Sequence, residues 1–157
     1  DADVSYAELK GLGEGHVPRR CTVEIDERDF GAPILGHALP MVAATYDRSA
    51  GDGSRRPRQT LIPLAHAMGV KINATFTKHQ EAQAAAHCHA LEGVVLVSWH
   101  HECIPALAKA IAPEVQVPPH WPDECFDRVW VFEPARGGWT FQQVPQRLLA
   151  GDAESVA

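Results

Sequence analysis

Val94-Val95-Leu96-Val97-Ser98-Trp99 runs directly into His100-His101-Glu102, and the reading of this stretch decides the fold. A continuous apolar run rich in β-branched residues, preceded by Gly93, predicts a buried strand. Two imidazoles stand where it ends, and a helical pattern over residues 104–111 follows at once. Strand, histidine pair and helix start, in this order, put the rings at the carboxyl end of a parallel sheet, where open α/β folds bind ligands. A helix N-terminus beside them favours an anion through its dipole and its unpaired N–H groups.

Working outward from that stretch, strands and helices alternate. Residues 41–46 (MVAATY) read as a buried strand, and 47–53 as a Gly/Ser/Asp loop. Leu61, Leu64, Ala65 and Met68 recur at helical spacing, which predicts a helix over 59–68 with Gly69 at C′. Pro63 then falls in the first turn, where a missing N–H is tolerated. Val70, Ile72, Ala74 and Phe76 alternate as in a strand over 70–76. Thr77 and Gln80 have capping-box spacing ahead of an Ala-rich helix over 78–91.

Downstream, Pro113, Pro118, Pro119 and Pro122 predict a rigid non-helical connection. Residues 128–133 and 139–144 read as a strand pair joined through 134–138, with Trp130 and Trp139 paired across it. Residues 1–40 are poorly patterned: Gly11, Gly13, Gly15, Pro18 and Pro33 interrupt any element, leaving a short strand at 22–26 and an apolar patch at 32–35. Residues 151–157 read as a loose tail. The expectation is one α/β domain over residues 1–150 with a largely parallel sheet.

The chain has 157 residues, enough for one domain with a proper core, and a net charge of −6 without a long basic run. That balance argues against nucleic acid as a partner. No apolar stretch approaches the ~20 residues needed to cross a bilayer, so no membrane partner is expected. The acidic, polar start does not read as a secretory leader. Cys21, Cys88, Cys103 and Cys125 are scattered with no CxxC pair, which favours reduced thiols in a cytoplasm over a disulfide framework. Oligomeric state is open.

Two constellations carry candidate chemistry. His100 and His101 stand where a general acid or a nucleophile would meet an anion, with Trp99 as a pocket wall and Glu102 placed to orient a ring. Arg55, Arg56 and Arg58 precede a helix N-terminus; a guanidinium matches a pair of phosphate oxygens with a planar fork. A histidine-rich alternative groups His87, Cys88, His89, His100, His101, Cys103 and His120 as metal ligands. No HxxxH or CxxC spacing supports it, and His87 and His89, two apart on a helix, do not share a face. No metal or other cofactor is therefore expected. His66 and His79 read as surface or helix-end residues.

Together these segments resemble the histidine phosphatase superfamily, the phosphoglycerate-mutase-like fold. That family carries Arg-x-x-Gln-Thr at a helix start, as in Arg56-Pro57-Arg58-Gln59-Thr60, and a strand ending in a catalytic histidine, as in residues 94–105 (VVLVSWHHECIP). A subgroup of small members adds a Trp at that strand's end and a later Trp-Pro-Asp, here Trp99 and Trp121-Pro122-Asp123, before an aromatic strand over 126–132. The resemblance spans residues 41–149. Comparison with the wider family puts His100 at the catalytic place; comparison with the Trp-containing subgroup puts His101 there, so His101 is the leading match and His100 the alternative.

The resemblance implies a small phosphorylated molecule or inorganic phosphate as ligand, Arg56 with Arg55 and Arg58 as its binders, and Glu81 as candidate proton donor. It also implies a departure. The family's nucleophile is the histidine of an Arg-His-Gly motif, attacking phosphorus to form phosphohistidine, and no Arg-His-Gly occurs in this chain. His16, after Gly15, and His37, after Gly36, lack that context. The Gly11–Gly15 region resembles the segment that follows the nucleophile, so the chain reads either as a piece of an ordinary phosphatase or as a variant without the catalytic strand. In either case 22–26 or 32–35 would partly fill the gap in the sheet. Weak or no turnover is the expectation, with a non-catalytic phosphate-binding or protein-binding module as the alternative.

Overall fold

The computed structural model describes residues 39–45, 54–123, 125–150 and 152. The expected strand at 22–26, the patch at 32–35, His16, His37 and all of the tail except Asp152 lie outside them.

Three parallel strands form the central sheet: β1 (Met41–Ala43), β2 (Ile72–Asn73) and β3 (Leu96–Ser98), in the order β2-β1-β3. Met41 pairs with Ile72 on one side and Leu96 on the other. The Ala44 N–H donates to the Ser98 carbonyl at 3.1 Å, and the Thr45 N–H to the Phe76 carbonyl at 2.7 Å, carrying the pairing to the carboxyl edge. A parallel bridge between Thr45 and Thr77 extends it there.

Between β1 and β2 lies α1 (Arg56–Met68); between β2 and β3 lies α2 (Glu81–His89); after β3 comes a short 3₁₀ turn (His101–Cys103) and then α3 (Ile104–Ile111). The β1-to-β2 connection moves one way along the sheet and the β2-to-β3 connection moves back across β1. Right-handed crossovers in opposite directions put their helices on opposite faces. The packing agrees. Met41, Ala43, Leu61 and Ala65 form one buried cluster, with Ile72 and Leu96 against it. Ala44, Ala84, Ala85, Trp99, Cys103 and Leu107 form the other, with Phe76 and Val97 against it. Neighbouring residues of each strand thus serve opposite faces, the two-residue period of a sheet covered on both sides. The small side chains of Ala84 and Ala85 give α2 close approach to Cys103 and Leu107.

A separate antiparallel pair, β4 (Arg128–Ala135) and β5 (Gly138–Pro145), follows the proline-rich connection. The architecture is therefore mixed α/β. The sheet is less uniformly parallel than its sequence implied, because the last two strands pair with each other alone among the described residues. No described helix is long and apolar enough to cross a membrane.

Several boundaries differ from expectation for local reasons. α1 begins at Arg56, with Pro57 in the first turn, so Pro63 lies inside the helix rather than at its start. The strand expected over 70–76 reduces to two residues, because the Asn73 side chain accepts hydrogen bonds from the Thr75 N–H at 3.0 Å and the Thr75 hydroxyl at 2.6 Å. That local turn diverts the backbone from the ladder. α2 begins at Glu81, after His79 adopts φ 74. Only half of the capping box forms: Gln80 Oε1 accepts from the Thr77 N–H at 2.8 Å, but the Thr77 hydroxyl donates to the same oxygen instead of capping the helix. Val94 is 76% exposed, and the strand expected to be buried shrinks to the half-buried Leu96–Ser98. The hairpin turn is Arg136-Gly137, with Gly137 at φ 93, and the register sets Trp139 opposite Pro134. Trp130 and Trp139 consequently do not pair. Trp130 packs on Trp121 and Phe141, and Trp139 on His89.

Candidate functional site

The strand order reverses between β1 and β3, and that is where an open α/β sheet leaves a crevice at its carboxyl edge. The chain beyond β3 leaves the sheet at that edge as Trp99, His100 and His101. Trp99 and His100 are each 7% exposed, whereas His101 is exposed and opens the 3₁₀ turn. The Cys103 N–H donates to the His100 carbonyl at 2.9 Å and closes that turn. The two neighbouring imidazoles therefore occupy different environments, one in the core and one facing solvent.

His101 stands between two carboxylates: its Nδ1 lies 3.4 Å from Glu102 Oε2, and its Nε2 lies 3.4 Å from Asp123 Oδ1. Lys78 Nζ donates to Glu102 Oε1 at 2.5 Å. That hydrogen bond outweighs partial burial and, with the charges of Lys78 and His101, holds the Glu102 carboxyl at about 2.

An open cleft of about 420 Å³ lies against this group, lined by His101, Glu102, His120, Trp121, Pro122 and Asp123. The Trp121 indole N–H donates to the Cys125 carbonyl at 2.9 Å, and its ring packs on Trp130 with centroids 5.3 Å apart. The proline-rich connection is thus a wall of the cleft as well as a spacer. Of its residues, His120 has no sequence signal that marks it for this position. Trp99 does not line the cleft. It is a core residue whose indole N–H donates to Glu81 Oε1 at 3.0 Å.

Glu81 opens α2 and accepts a second hydrogen bond from the His79 N–H at 3.0 Å. Partial burial pushes its carboxyl up, but hydrogen bonds from Trp99, the backbone and Cys103 prevail and leave it below the ordinary carboxylate range. Glu81 is accordingly held as a carboxylate near neutral pH, the opposite form to that of a proton donor. One of its carboxylate oxygens, one His79 ring nitrogen and the Cys103 thiol lie within 4.8 Å of one another. Burial, with the charges of Glu81 and Glu102, pushes the Cys103 thiol up to about 11.

The three arginines gather at the start of α1: Arg55 is its N-cap, Arg56 its first residue, and all three are exposed. α1 ends in Gly69 at φ 65, and β2 begins three residues later at the sheet's amino edge. The opposite end of the helix, with the arginines, therefore lies toward the carboxyl edge. Arg56 and Arg58 point about 200° apart around the helix axis, so one anion cannot meet both head-on; Arg55 and Arg58 share a face. None of the three lines the cleft beside His101.

The larger histidine grouping is dispersed. The Asn73 side-chain amide lies 2.9 Å from His87 Nε2, and His89 Nε2 lies 3.0 Å from the Ile111 carbonyl. The two rings serve different partners, as their spacing implies. No protein-family model, no curated protein and no solved structure matches this chain.

Proposed function

We propose that this chain is a histidine-phosphatase-like protein of the phosphoglycerate-mutase-like fold whose crevice binds a phosphate group, as inorganic phosphate or as the phosphoryl end of a small ester. The observation that carries the reading is topological. The order β2-β1-β3 makes the space between the β1 and β3 ends the switch point, with the helix start bearing Arg55, Arg56 and Arg58 reached from β1 and His100 and His101 reached from β3. Arginines supply charge and forked donors, the α1 N-terminus supplies N–H groups, and His101 supplies an exposed imidazole beside the 420 Å³ cleft. Glu102 and Asp123 flank the His101 ring, each with an oxygen 3.4 Å from one ring nitrogen, and Lys78 offsets the charge of Glu102.

In such a site His101 and Arg56 would stabilise negative charge on a bound phosphoryl group. Hydrolysis would further require a nucleophile, and no Arg-His-Gly histidine is present in the sequence. The chain as given therefore binds phosphate and turns over esters weakly or not at all.

The test pairs binding with turnover. Vanadate and inorganic phosphate are titrated against the chain, and hydrolysis of an aryl phosphate is followed in parallel. Saturable binding with negligible turnover is expected. Fast turnover abolished by His101→Ala would overturn the non-catalytic clause, and the absence of any saturable binding would overturn the phosphate reading itself.

A further inference from the structure

A second group of donors lies outside the phosphate argument. His79 precedes α2, Glu81 is its first residue, and Cys103 ends the 3₁₀ turn after β3, so three separate positions bring one nitrogen, one oxygen and one sulfur donor within 4.8 Å of each other. We propose that His79, Glu81 and Cys103 form a binding site for one divalent transition-metal ion, zinc by the chemistry of the donors.

Imidazole, carboxylate and thiolate together are a borderline-soft set, which suits zinc over magnesium or calcium. Tetrahedral zinc at ordinary bond lengths sets its ligand atoms about 3.5 Å apart, and donors already within 4.8 Å of one another reach that spacing by side-chain adjustment. His79 is exposed and its ring has room to make that adjustment. Cys103 is 7% exposed and fixed in the core beside Trp99 and Leu107, so one ligand is anchored in advance.

The carboxylate is anchored too. The Trp99 indole N–H and the His79 backbone N–H both donate to Glu81 Oε1, which fixes the direction of the carboxylate. Outer hydrogen bonds that fix a ligand's direction are a regular part of protein metal sites. Charge also balances: a divalent ion with one thiolate, one carboxylate and one neutral imidazole is neutral. Binding replaces the thiol proton. Cys103 releases H⁺ to solvent, a sulfur lone pair bonds the metal, and no electron is transferred. Three protein ligands leave a fourth position for water or a substrate oxygen.

The grouping differs from the one that the sequence offers, because His79, Glu81 and Cys103 are 2 and 22 residues apart with no recurring spacing. It is also independent of the phosphate reading, which uses none of these three residues as a ligand.

The test uses the chain stripped with a chelator and titrated with Co²⁺, then with Zn²⁺ in competition with a chromogenic chelator. One equivalent is expected, with a thiolate-to-cobalt charge-transfer band that Zn²⁺ displaces. Cys103→Ser should abolish the band. Exposed His79→Ala, which leaves the core intact, and Glu81→Gln should each weaken Zn²⁺ binding by about tenfold or more, whereas His66→Ala should not. The proposal is overturned if no band forms, if the band survives Cys103→Ser, or if His79→Ala binds as tightly as the parent chain.

Discussion

Glu102 is held ionised by a lysine from a different part of the chain, 24 positions earlier, and that pairing controls the charge around His101. Its carboxyl sits at about 2 in the folded protein against an ordinary 4.5. Because the folded value is the lower one, the pair stabilises the fold above the ordinary carboxylate range, and the effect is lost as pH falls from about 4.5 toward 2. The Glu102 side chain is 45% exposed, so solvent screens the pair and its contribution to stability is small. The clearer consequence is local. Lys78→Met should raise the Glu102 pKa toward 4.5, read from its side-chain carboxyl shift in a pH titration. An unchanged titration would show that Lys78 does not set the charge there. Glu81 follows the same logic with different donors, and for that reason acts as an acceptor rather than an acid at neutral pH.

At the scale of elements, α1 closes with paired end bonds: the Gly69 N–H donates to the His66 carbonyl at 3.1 Å and the Val70 N–H to the Ala65 carbonyl at 3.0 Å. This end motif needs a left-handed residue, and Gly69 has φ 65. Gly69→Ala should destabilise the protein by about 1 kcal/mol in urea unfolding, with an unchanged denaturant slope; an unaltered midpoint would contradict the role given to this turn. Gly69 was legible in the sequence because glycine at C′ is a local rule, and α3 emerged with its expected ends because its periodicity runs into Pro113, which forces Ala112 out of the helical region. The strands were less legible. Asn73 ends β2 through a side-chain bond to Thr75, and Val94 stays in solvent although it continues an apolar run. Neither outcome is encoded in alternation. The site divides the same way: His101 and the arginines stand at recognisable element ends, whereas His120 and the trio of His79, Glu81 and Cys103 meet only through tertiary packing.

For the whole molecule, the order β2-β1-β3 is the feature on which the functional proposal rests, because it makes the carboxyl ends of β1 and β3 the switch point of the sheet. The two helical layers follow from that order and from the alternation of core residues along β1 and β3. The central claim is that groups arriving from β1 and from β3 act on one anion. Inorganic phosphate titrated calorimetrically against the parent chain, Arg56→Ala, His101→Ala and the double variant tests it most directly. One saturable site is expected, weakened by each single change, with the double variant weakened by less than the two effects added, as for residues sharing a ligand. Phosphate binding that survives both changes undiminished would contradict the account.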